Sequence, residues 1–122
     1  AEFSAEELSE ARRALLSLRN KNEKASNKLK EGSWQSRLTI GIVRATDVAL
    51  GLIDGNNGAL DVDSLSETHA VLTDARQRAE AVIGKFAEGT SQRTLQKNRI
   101  AALNVALTLV EREQTRAGIF KG

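Results

Sequence analysis

Leu8, Ala11, Leu15, Leu18, Ala25 and Leu29 return at alternating intervals of three and four residues, with Asn22 the one strongly polar residue on their line. A heptad stripe of this kind predicts a long helix that shows a narrow apolar seam to its neighbours and polar faces to water. Leu65, Thr68, Leu72, Ala75, Ala79, Val82 and Phe86 repeat the spacing and predict a second such helix. Residues 33–53 and 90–116 are patterned differently. Leu38, Ile42, Ala45, Ala49 and Leu52 make one stripe, which Val43, Leu50 and Ile53 widen, and Leu95, Ile100, Leu103, Ala106, Leu107 and Val110 do the same later on. At about 100° per residue this apolar arc covers roughly 200°, about twice what a bundle helix has to bury. Such helices either lie centrally or turn their second flank to another chain.

The chain matches itself, without a gap, at an offset of 57 residues. Glu31-Gly-Ser-Trp-Gln35 falls on Glu88-Gly-Thr-Ser-Gln92, and Ala45–Asp54 falls on Ala102–Glu111. Leu15, Arg19, Glu23 and Lys28 fall on Leu72, Arg76, Glu80 and Lys85. Two copies of one supersecondary unit are the simplest account. Each copy reads as an antiparallel helical hairpin. Ser4 with Glu7 forms a capping box behind a Phe3 staple, Asp61 caps the equivalent helix, and the two long helices are expected to end at Gly32 and Gly89, which close them in the left-handed conformation just before the caps Ser33 and Thr90. The expected fold is all-α: a four-helix bundle of two tandem-duplicated hairpins in a single domain, with repeats at 1–57 and 58–114 and a tail at 115–122. Asp54-Gly-Asn-Asn-Gly58 supplies the turn chemistry between the hairpins.

Composition narrows the function. A chain without cysteine forms neither disulfides nor thiolate metal sites, and one histidine leaves little imidazole chemistry. No apolar run approaches the roughly 18 residues of a membrane span. A cytoplasmic or virion-incorporated protein with no membrane partner is expected. Net charge is +2, distributed as +2, −1, −2 and +3 over residues 1–30, 31–57, 58–87 and 88–122. Counted in this order the charge describes no nucleic-acid face, and nucleic acid is not expected as a partner.

Candidate chemical motifs fail one by one. An EF-hand loop begun at Asp54 would need an oxygen ligand at Gly58, a glycine at Ala59 and a glutamate at Leu65. Gly84-Lys-Phe-Ala-Glu-Gly89-Thr90 lacks the lysine that follows the second glycine of a phosphate loop. His69 aligns with Arg12 on a charged face, and most carboxylates stand in helical first turns or three to four residues from a base. No nucleophile, base and orienter assemble, so no enzymatic activity, cofactor, metal or small-molecule substrate is expected.

Protein contact remains. Val43 and Leu50 bracket Asp47, and Ile100 and Leu107 bracket Asn104, so the repeat keeps an apolar, polar, apolar triplet that reads as a pair of partner-binding patches. Trp34, whose repeat counterpart is Ser91, is a candidate aromatic anchor, and Ile119-Phe120 a candidate hook. Gly32-Ser-Trp-Gln-Ser36 resembles the turn of the small secreted WXG100 helical hairpins, with serine in place of the second glycine; the likeness ends with those five residues and assigns no family. The expected function is that of a structural or assembly protein acting on a protein partner or a second copy of itself, in the style of an accessory virion component of a phage capsid or neck. The alternative is a small regulatory or nucleic-acid-associated protein using the basic last quarter.

Overall fold

The computed structural model describes residues 3–56 and 60–118, and over these the chain is all-helical, with four helices and no strand. They are α1 (Ala5–Lys28), α2 (Trp34–Ile53), α3 (Val62–Ile83) and α4 (Ser91–Arg116). Every helix starts behind a capping oxygen. Ser4 Oγ accepts from Glu7 N at 3.0 Å while Ser4 N donates to Glu7 Oε1 at 2.9 Å, and Ser33, Asp61 and Thr90 accept from Ser36, Ser64 and Arg93 at 3.1, 2.7 and 3.2 Å. Each bond satisfies one of the amides a helix start leaves open. The helix ends differ from expectation. α1 stops at Lys28 and α3 at Ile83, several residues before Gly32 and Gly89. Those glycines have φ of 83° and 84° and stand third in the turns closed by Ser33 N to Lys30 O (3.1 Å) and Thr90 N to Ala87 O (3.3 Å). Their freedom at positive φ serves the reversal into the next cap instead of closing the helix before it.

Polar clasps set the register of each hairpin. Arg12 Nε donates to Asp54 at 3.0 Å and Arg19 Nε to Asp47 at 2.6 Å, from α1 to α2. His69 Nε2 meets Glu111 at 2.8 Å and Arg76 Nη1 donates to Asn104 at 2.9 Å, from α3 to α4. The separations are 42 and 28 residues in both hairpins. The Arg112 guanidinium lies 5.5 Å from the centre of the Phe3 ring, which places the end of α4 beside the start of α1. Neighbouring helices are therefore antiparallel. α2 and α4 meet across the short diagonal and α1 and α3 do not meet. The broad apolar arcs of α2 and α4 belong to this central position, each of the two touching all three other helices.

One end of the bundle, the base, holds the starts of α1 and α3 and the ends of α2 and α4; the other holds both hairpin turns. The core is not shared evenly between them. The largest side chains with essentially no exposure are Leu15, Leu65, Leu72, Leu103, Val110 and Thr46, all in the base half or within a turn of the middle. Beyond Thr46 and Leu103, toward the turns, the buried residues are Ser36, Ala45, Ala79, Arg99 and Ala102. The larger apolar residues there, Leu38, Ile42, Val82, Ile83 and Phe86, are only half-buried. At about 25 cal/mol for each square ångström withdrawn from water, most of the hydrophobic stabilisation lies in the base half.

Candidate interaction surface

The triplets singled out from the sequence lie along the seam inside each hairpin. Leu50 is 9% exposed and Leu107 3%, and both belong to the chain's own core cluster. Asp47 and Asn104, between the apolar residues, are the acceptors for Arg19 and Arg76. The polar residue does fix a register, and the register it fixes is that of its own hairpin. Charge and hydrogen bonding from Asp47 raise the Arg19 pKa further above its ordinary value. Val43 and Ile100 are half-buried beside this seam. Leu50 and Leu107 are thus withdrawn from water within the chain itself, next to the residues that clasp the first helix of each hairpin.

Trp34 opens α2 and is 61% exposed, so it is the most exposed large apolar side chain among the described residues. Ile119 and Phe120 lie outside the described residues. Leu16, Ile40, Val62 and Leu95 are the other large apolar side chains on the surface.

Two features escaped the sequence. The first is a groove of about 700 Å³ between α1 and α4, lined by Phe3, Ala11, Ala14, Leu95, Ala102 and Val105, with Glu10, Arg13 and Asn98 along it. In the corresponding seam between α3 and α2, Val71 takes the place of Ala14 and Gly41 that of Asn98, and the Val71 Cγ2 lies 4.0 Å from where a β-carbon would stand on Gly41. The two seams thus differ in the side chains that meet there, a short one on α1 and a branched one on α3. The second feature is Arg99, 9% exposed on the inner stripe of α4, whose Nε is buried with no hydrogen-bond partner. Burial lowers its pKa from the ordinary value. Its repeat counterpart is Ile42, so the aliphatic stripe of α4 predicts no charge there. Asn22, the polar residue on the first seam, is half-buried and satisfied locally, its Nδ2 donating to Leu18 O at 2.9 Å.

Among the described residues no group of histidine, aspartate or glutamate side chains is arranged to hold a metal ion, and no helix is long and apolar enough to cross a membrane. No family model, curated protein or solved structure matches the chain.

Proposed function

We propose that the protein is a non-enzymatic assembly component, made by tandem duplication of one helical hairpin, that works by protein–protein contact through a helix-lined groove. The duplication reading is supported by clasps with the same separations in both hairpins and by four caps and two turn glycines at equivalent positions. The observation that carries the contact reading is the α1/α4 groove. Its alanines admit a close approach by another helix, whereas the seam between α2 and α3 carries Val71 in place of Ala14. A cytoplasmic or virion setting fits this reading, with a second copy of the chain as the simplest occupant.

Sedimentation across a wide concentration range tests it, using the parent chain and an A14E/A101E variant. The parent is expected to show a concentration-dependent mass, and the variant to stay helical and monomeric. A parent that is monomeric throughout, or a variant that assembles as the parent does, contradicts the reading.

A further inference from the structure

Counted along the chain the charges look interspersed, but the fold sorts them by end. The base half comprises residues 3–17, 49–56, 60–74 and 106–118 and carries ten Asp and Glu against four Lys and Arg. The turn half, residues 18–48 and 75–105, carries thirteen Lys and Arg against five Asp and Glu. One end of a small bundle is thus negative by six and the other positive by eight. Helix dipoles account for part of this. Glu6, Glu7 and Asp63 at the starts of α1 and α3, and Lys28 in the last turn of α1, complement the macrodipole. The same rule asks for acids in the first turns of α2 and α4, and neither helix has one there. Arg37 stands at the first turn of α2 and Arg93 in that of α4, where the dipole opposes them, and Arg44, Lys97 and Arg99 follow beyond its reach. The polarity follows the ends of the bundle and not the direction of the helices, so local helix electrostatics does not explain it.

The excess charge of each end is unspent. Lys21, Lys24, Lys28, Lys30, Arg37 and Lys97 toward the turns have no carboxylate partner among the described residues, and Glu6, Glu10, Asp63 and Glu67 at the base have no basic one. Lys21, Lys24 and Lys28 share the helical face of Ala14 and Ser17 and so continue the line of the α1/α4 groove toward the turns. In the other hairpin Arg78 and Lys85 hold the positions of Lys21 and Lys28, and Trp34 opens the helix beside that seam.

We propose that the turn half binds the phosphodiester backbone of a nucleic acid, with the Lys21, Lys24, Lys28 lane as the main contact and Trp34 as a stacking platform for a base. The lane matches a polyanion: three ammonium groups spaced by one helical turn or less along one face. A bilayer surface would demand a coplanar set of charges, whereas these surround the end of the bundle on all four helices. Trp34 is exposed at the same end, beside the opposite seam, so a strand leaving the lane over the turns can stack an unpaired base on its indole, and a single strand is the preferred form. No base-edge reading is involved, and binding should be independent of sequence.

The test is fluorescence anisotropy with a labelled single strand and with a duplex of the same length, over a salt series. Single-strand affinity is expected to fall with salt at a log–log slope of about −3, as for four to five phosphates at about 0.7 each. K21E/K24E/K28E should keep its helicity and lose at least about tenfold in affinity, while R116E at the base, outside the groove, stays within about twofold of the parent. Because the chain has one tryptophan and no tyrosine, its emission reports Trp34 alone and should be quenched by the strand. The proposal is overturned if binding ignores salt, if the triple variant binds as the parent does, or if Trp34 emission is unchanged at saturation. Polyglutamate competing as well as the strand at equal charge would overturn it in favour of an acidic protein partner. These outcomes are independent of oligomeric state, so failure here is separable from failure of the groove.

Discussion

The two halves of the bundle are built from the same four helices and have opposite characters. Near the base, Leu15, Leu65, Leu72 and Val110 are fully withdrawn from water, and the surface around them is acidic. Toward the turns the interior holds small residues and one arginine, the larger aliphatics are half-exposed, and the surface is basic. A long heptad seam does not guarantee an evenly packed core. Stabilisation concentrates where the side chains that meet are large, and the remaining length is free to serve contact with something else.

Four tests break or sharpen this contrast. The largest effect is expected at Leu107, where lysine would bury an ammonium within the base-half core. L107K, and still more L50K/L107K, should unfold the chain, at a cost of more than about 3 kcal/mol, as seen in the loss of the far-ultraviolet helical signal. A helical, cooperative double variant would return these leucines to a surface role. Next is a matched pair: Leu72→Ala should cost about 3 kcal/mol and Ile42→Ala about 1 kcal/mol, because only the first leaves a closed cavity. Equal shifts in denaturant midpoint would erase the difference between the halves.

Arg99→Met should stabilise the protein by about 1 kcal/mol. The Nε of Arg99 is buried without a hydrogen-bond partner and gives up hydration without compensation, and a thioether of similar length does not. A destabilised variant would mean that the stem of Arg99 packs better than its charge costs. The smallest effect belongs to Asp47→Ala. The Arg19–Asp47 pair is short but open to solvent, so its loss should barely move the melting midpoint. A large drop would make the clasp a major source of hairpin stability.

Much of this architecture is legible in the sequence. Ser4, Ser33, Asp61 and Thr90 mark the helix starts because a capping oxygen must sit just before the first amide it satisfies, a strictly local requirement. The wide arcs of α2 and α4 are also visible, but an arc reports how much surface is covered and not by which chain. That is why Leu50 and Leu107 read as equally good interface or core. The α1/α4 groove is lined from two helices in different hairpins, which no single-helix pattern contains. Charge sorting is hidden for a related reason. Successive segments alternate between the two ends, and consecutive blocks of sequence average base with turn. Folding the list of charges at Gly32, at the inter-hairpin turn and at Gly89 reveals it.

Native-state hydrogen exchange, read amide by amide, tests most directly whether the base half holds the fold. The account predicts that amides around Leu15, Leu72, Ala49 and Ala106 exchange only by global unfolding. Amides in the last two turns of α1 and α3 and the first two of α2 and α4 should exchange through smaller openings of clearly lower free energy. Uniform protection along all four helices, or the strongest protection next to Gly32 and Gly89, would contradict it.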